Sequence, residues 1–208
     1  MKELRFSDGF SSSFKLAINQ FWSVLGAILL WIITIWIPYI NVGTTIGLIQ
    51  IQIKLGRGEK ISADEIFDGK HRAVMGKIFL LWSFMTIGIV IGTIFLIVPG
   101  IVLWHAWFLS TMLILDKKLD PIQAMSKSYD LTYGYKWVMF FITFAINLAF
   151  SLVSVLTDPE TWAISEYYEP GLFLFLIFLT VAVSLVGGVW LMAAYGYIYA
   201  TLSGSKKK

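Results

Sequence analysis

The sequence predicts an all-α integral membrane protein: six transmembrane helices, with short amphipathic helices lying in the interface on the cytoplasmic side. Three observations predict it. Hydrophobic residues make up 58% of the 208-residue chain and charged residues only 14%, against roughly 25% charged in soluble domains. Apolar runs at 21–37, 78–98 and 172–186 approach the length that crosses a ~30 Å hydrocarbon core at ~1.5 Å per residue. All 16 Lys and Arg fall at 2–15, 54–77, 117–136 and 206–208, whereas the turns at 38–43 and 98–100 and the acidic stretch 158–170 hold none. With six crossings every cation lies on one face. The positive-inside rule makes that face cytoplasmic, and both termini with it. The net charge of +3 therefore reports topology, with anionic headgroups as its natural partner, and not nucleic acid.

Taken in order, residues 7–20 read as an interfacial helix. Phe10, Phe14, Ala17 and Phe21 fall on one face; Ser11, Ser12, Lys15 and Asn19 fall on the other. The charged, Ser-rich opening stretch lacks the pattern of a cleavable signal. A first span, 21–37, ends at Pro38, where a helix stops or kinks. The second, 42–55, is short and carries Gln50, Gln52 and Lys54. It covers only about 21 Å, so it must be shielded, thin the bilayer, or let Lys54 snorkel to the surface. Gly56-Arg57-Gly58 breaks it. Ser62 and Glu65 then form a capping box, with Ile61 and Ile66 as its hydrophobic staple, and a short amphipathic helix starts there.

The third span, 74–98, is turned by Pro99-Gly100 into a short fourth, 101–115. Asp120 caps another interfacial helix with Pro121 at its first position, where a missing N–H costs nothing. Ile122, Met125 and Tyr129 make its apolar stripe. Residues 137–156 form the fifth span. The sixth, 171–203, is longer than one crossing needs. It reads as one tilted or kinked helix; a break at Gly187-Gly188 would send the terminal lysines to the wrong face.

The plan repeats inside one membrane domain, 1–208. Shifted by 115, residues 9–22 lie on 124–137 and pair Ser13 with Ser128, Phe14 with Tyr129, Leu16 with Leu131 and Trp22 with Trp137. Shifted by 61, Pro38, Ile40, Ile61 and Ala63 lie on Pro99, Ile101, Ile122 and Ala124. Units at 7–55, 61–115 and 120–203 would each hold an interfacial helix, a span, a turn and a returning span. All start on the same side, which makes them parallel repeats.

The stretch 99–137 carries a pattern of Pro99, Gly100, Ile101, Trp107, Asp116, Pro121, Ala124, Lys127, Ser128, Tyr129, Leu131, Thr132, Gly134 and Trp137. It resembles a broad bacterial superfamily of six-span membrane proteins of unknown function. That group includes YciC-like inner-membrane proteins and the membrane domain found beside some glycerophosphoryl diester phosphodiesterases. The resemblance implies a multi-pass location in the bacterial cytoplasmic (inner) membrane. Two positions depart from the pattern: the family's Arg before the Trp is Ala106 here, with His105 beside it, and its mid-span Pro is Met112. No soluble segment is long enough for a catalytic barrel, so the phosphodiesterase activity is not implied.

Among candidate functional residues, His105 is the ionisable side chain well inside an apolar run, a functional candidate at membrane depth. The bland alternative is a neutral imidazole bonded between helices. Gln50, Gln52 and Asn147 are polar at membrane depth and are expected to face the bundle, as interhelical glue or as the lining of a path. Gly43/Gly47 and Gly88/Gly92 are small-residue pairs suited to close packing within the monomer. Asp158, Glu160, Glu166 and Glu169 read as a solvated loop, and Trp22, Trp137, Trp162, Tyr167 and Tyr168 as interface anchors.

Catalysis lacks parts. There is no cysteine, the two histidines His71 and His105 fall in different layers, and no nucleophile elbow or phosphate loop occurs. The expectation is a non-enzymatic accessory or scaffold subunit without cofactor or metal. Its partners would be membrane lipids, a partner membrane protein or a second copy. The alternative is a transporter or channel for a small or lipidic solute.

Overall fold

Each apolar run becomes a helix, though not always where the pattern put its ends. The computed structural model describes residues 3–159 and 169–204. Its helices are α1 (Phe6–Asn19), α2 (Phe21–Thr34), α3 (Pro38–Gly56), α4 (Met75–Phe95), α5 (Ile97–Trp107), α6 (Ser110–Lys117), α7 (Pro121–Thr132), α8 (Lys136–Thr157) and α9 (Pro170–Leu202). Two 3-10 turns, Ala63–Phe67 and Gly69–Val74, lead into α4. No strand occurs among the described residues.

Four of these segments are long and apolar enough to cross a membrane: α4, the α5–α6 run, α8 and α9. The α1–α2 pair makes a fifth if it is counted across its 82° bend. The six-span expectation meets its difficulty in the first hairpin. The run expected at 21–37 yields a helix of 14 residues, about 21 Å long. Its partner α3 starts at Pro38 and reaches 19 residues, longer than expected, but Gln50, Gln52 and Lys54 keep it off the apolar set.

Three local expectations are corrected. Pro99-Gly100 is not the turn: the chain reverses at Leu96, extended at φ −161° and ψ 142°, and Pro99 and Gly100 lie in the first turn of α5. Proline is tolerated there because the N–H it lacks would have no helical partner. The fourth span is consequently not short, since 97–117 spans 21 residues. The segment after Ser62 does form its capping box, with Glu65 accepting from the Ser62 N–H at 3.4 Å, but it winds as a five-residue 3-10 turn. Ile61 and Ile66 are both buried in one cluster, as a staple requires. The sixth run is one unbroken helix of 33 residues, about 50 Å long.

The core sits around the second half of α9. From Met192 to Leu202 nearly every residue is buried, and α1, α3 and α8 pack against this helix. Outward of that region the long helices stay bare: Phe79, Ile87 and Ile94 on α4, Phe144, Leu152 and Val155 on α8, and Leu174, Phe178 and Val181 on α9 are exposed. The crossing of α3 and α9 is backbone on backbone. A Cβ on Gly196 would stand 2.1 Å from the Gln52 carbonyl oxygen, and one on Gly56 would stand 1.9 Å from that of Gly196. Gly88 and Gly92 turn to Trp107 and Leu103 of α5, and Gly47 to the Ile66 backbone, so the small-residue pairs serve contacts inside the monomer.

On α1 and α7 the inward face is the small one. Gly9, Ser13 and Ala17 of α1 are buried, while Phe6 and Phe14 are 45% and 46% exposed. Ala124, Ser128 and Thr132 of α7 are buried, while Ile122 and Tyr129 of the expected stripe face out. An outward stripe of this kind is what a helix lying in the interface would present to lipid. Where the surroundings are apolar, large side chains gain little by turning inward and small ones allow close approach. The 115-residue offset pairs these two buried faces residue for residue, Gly9 with Ala124, Ser13 with Ser128 and Ala17 with Thr132.

Candidate functional site

Three returning helices, α3, α6 and α9, end together, and a polar node ties them. Arg57 at the C-cap of α3 pairs with Asp116 Oδ1 in the last turn of α6. Tyr199 on α9 donates its hydroxyl to Asp116 Oδ2 at 2.6 Å. Lys117 Nζ stands 3.4 Å from the same oxygen. The Asp116 and Arg57 side chains are 11% and 18% exposed, so the pair is largely withdrawn from water.

Beside this node lies a cavity of about 740 Å3. Gln50 and Lys54 of α3 form one wall. Glu65, Asp68 and Lys70 of the 3-10 segment form the second, Val74 and Lys77 the third, and Ile114, Leu115, Lys118 and Leu119 the fourth. Three of its lysines are held by carboxylates: Lys54 by Glu65 at 2.7 Å, Lys70 by Asp68 at 3.4 Å, and Lys77 by Asp120 of the α7 N-cap at 2.6 Å. Lys118 caps α6 at φ 56° and ψ 29°, the only left-handed residue other than glycine among the described residues. That conformation costs an L-residue about 1–2 kcal/mol.

A second cavity, about 450 Å3, shares no lining residue with the first. It lies between Ile49 and Gln52 of α3, Trp82, Met85 and Ile89 of α4, Trp104 and Phe108, and Tyr195 of α9. Apart from Gln52, Thr86, Thr111 and the Tyr195 hydroxyl, its walls are apolar. Trp82 donates to Thr111 Oγ1 at 3.2 Å across it.

The structure distributes the residues singled out by sequence. Gln50 and Gln52 line different cavities. Asn147 does not face the bundle: it is exposed on α8 and donates to the Thr143 carbonyl of its own helix at 2.8 Å. Hydrogen bonding to the preceding turn lets an amide tolerate an outward position. His105 bonds the Ile101 carbonyl one turn back at 2.8 Å and meets the Phe140 ring edge-on. It joins neither large cavity. Replacing His105 with Phe is expected to change the unfolding free energy measured in detergent by less than about 1 kcal/mol, and a loss above ~2 kcal/mol would restore the imidazole as a structural or functional centre. Glu160, Glu166, Trp162, Tyr167 and Tyr168 lie outside the described residues.

The motif residues of 99–137 chiefly hold the α5–α7 corner together. Ser128 Oγ accepts from the Leu109 N–H at 3.2 Å and donates to the Ala106 carbonyl at 2.7 Å, satisfying backbone left open where α5 breaks into α6. Thr132 donates to the same carbonyl at 3.3 Å. Trp107 fills the space left by Gly88. Pro121 opens α7 behind the Asp120 N-cap. Gly134 turns the chain at φ 82°. Lys136 covers the Tyr129 ring at 4.4 Å, Trp137 packs on Phe140 and Phe141, and Lys127 is exposed.

Two contributors escaped the sequence reading. Gln20, at the α1–α2 bend, donates to the Glu59 carbonyl at 2.6 Å and accepts from the Ile61 N–H at 3.0 Å, pinning the start of the 3-10 segment. A glutamine at the end of an amphipathic helix gives no signal of that role. Tyr199 is the other, hidden in an apolar run.

No family model matches this chain, and no curated protein or solved structure matches it either.

Proposed function

We propose that this chain is a non-enzymatic integral membrane protein, an accessory or scaffold subunit that binds membrane lipid or a partner membrane protein. It would cross the bacterial inner membrane six times, α2 and α3 being the weakest crossings, with both termini cytoplasmic. The observation that carries the reading is the separation of core from apolar surface. Packing is concentrated at the end where α3, α6 and α9 finish, while α4, α8 and α9 expose long apolar faces beyond it. Bare apolar area on that scale calls for lipid or protein cover. The basic residues support the orientation: Lys54, Arg57, Lys77, Lys117, Lys118 and Lys136 sit at or beside the ends of α3, α4, α6 and α8, and the turns joining α2 to α3 and α4 to α5 carry none. The resemblance to six-span inner-membrane proteins supports the same topology.

A second reading, transport of a small or lipidic solute, is favoured by the cavity at Gln52 and Trp82. It would require that cavity to join the one at Gln50. Native mass spectrometry of protein released from nanodiscs, paired with a flux assay in proteoliposomes, separates the two. Retained lipid or a stable partner without flux is expected. Solute flux above that of empty liposomes would replace the scaffold reading with the transporter.

A further inference from the structure

We infer that the cavity between α3, the 3-10 segment, α4 and α6 binds the phosphate-bearing headgroup of an anionic membrane lipid; this rests on the lipid-binding reading above and names its site and ligand. Four ammonium groups, Lys54, Lys70, Lys77 and Lys118, and two carboxylates, Glu65 and Asp68, line the cavity, an excess of two positive charges. Counting Asp120, which holds Lys77 from outside the lining, the excess is still one. A monoanionic phosphodiester matches it. The volume of about 740 Å3 falls in the range of small-molecule sites. Ala73, Val74, Ile114, Leu115 and Leu119 supply apolar wall between the charges, which suits an amphiphile better than a free inorganic ion.

Two further features point to the same ligand. Lys118 keeps a left-handed backbone at a helix end where glycine would sit without strain. Strained residues of this kind cluster at binding sites. The helix-end dipole alone does not explain it, because Lys117 already puts a cation in that turn. Beyond Val74 and Lys77, α4 runs directly into a bare apolar face with Phe79, Leu80, Phe84 and Ile87 exposed. A lipid held by its phosphate among the lysines has that face for its acyl chains.

The test titrates detergent-purified full-length protein with short-chain phosphatidylglycerol, with phosphatidylcholine of the same chain length, and with inorganic phosphate. Phosphatidylglycerol is expected to bind at least tenfold more tightly than phosphatidylcholine, and phosphate is expected not to displace it at millimolar concentration. Lys118→Gly should weaken phosphatidylglycerol binding about fivefold or more while raising the unfolding midpoint, because it removes charge and strain together. Lys118→Gln should weaken binding without raising the midpoint. Loss of binding in a folded, equally or more stable variant excludes misfolding as the cause. Unchanged affinity in both variants overturns the site. Equal binding of the two lipids overturns the anionic ligand yet leaves lipid binding intact. Full displacement by phosphate overturns the lipid source in favour of the free ion. Binding of no lipid removes this inference and the lipid arm of the reading beneath it.

Discussion

Replacing Asp116 with Ala is expected to cost about 3–5 kcal/mol of unfolding free energy, the largest loss from deleting any one polar side chain of the node. The carboxylate is the hub of three contacts. Without it the Arg57 guanidinium, 18% exposed, stays beside Lys117 with no counter-charge, and the fully buried Tyr199 loses its acceptor. Leaving a charge withdrawn from water is what makes removal of one partner costly; the net worth of the intact pair is much smaller. The same reasoning fixes the pattern of the related variants. Asp116→Asn keeps an acceptor for Tyr199 and loses the charge, so it should fall between wild type and Asp116→Ala. Tyr199→Phe should cost about 1 kcal/mol. Arg57→Ala with Asp116→Ala should recover part of the loss, because no orphaned guanidinium remains. Sodium dodecyl sulfate titrations of the four variants in mixed micelles measure these differences. A cost below ~1 kcal/mol for Asp116→Ala would mean that water reaches the node and that it does not fasten the three helices.

That node was not legible in the sequence, for a definite reason. Arg57 and Asp116 are 59 residues apart, and Asp116 and Tyr199 are 83 apart. Periodicity and capping speak only about neighbours within a few turns. Where such local chemistry decides, the sequence was readable. The apolar run at 137–156 became α8 within one residue at each end. Ser62 capped its turn, and Pro121 opened α7 behind Asp120. Pro99-Gly100 misled because the same dipeptide suits a turn and the first turn of a helix. Gly100 settles it through a contact no pattern announces: a Cβ there would stand 2.1 Å from Thr93 Oγ1 on α4.

The faces of α1 and α7 teach a different lesson. In water the aromatic stripe would be the inward face, because large apolar groups gain most by burial. With an apolar exterior that gain vanishes, and close packing of small residues takes over. Gly9, Ser13 and Ala17 could have been chosen by that criterion from the sequence alone. Of the candidate site, Gln50, Gln52 and Lys54 were flagged by their polarity on an apolar helix, and both cavities touch them. The remaining wall, Glu65, Lys77 and Lys118, comes from segments whose approach to α3 only the tertiary structure defines.

The second large effect is expected at the crossing of α3 and α9. Gly196→Ala would place a methyl group 2.1 Å from the Gln52 carbonyl oxygen and 2.9 Å from the Gly56 nitrogen. Both obstacles are backbone, so no rotamer change can relieve them and the helices must move apart. Overpacking of this kind costs about 1–3 kcal/mol or more, and the upper end applies because α9 here is surrounded: Ala193, Ala194, Tyr197 and Ala200 are all buried. Gly56→Ala meets the Gly196 carbonyl oxygen at 1.9 Å and should cost as much. The double variant distinguishes a shared crossing from two independent clashes. Once one methyl has separated the helices, the second occupies space already opened, so the combined cost should fall short of the sum by more than about 0.5 kcal/mol. Separation also displaces Arg57, one residue beyond Gly56, from Asp116. Adding Asp116→Ala to Gly196→Ala should therefore cost less than Asp116→Ala costs alone. Strict additivity of all three substitutions would show that the helix crossing and the polar node are not one fastening.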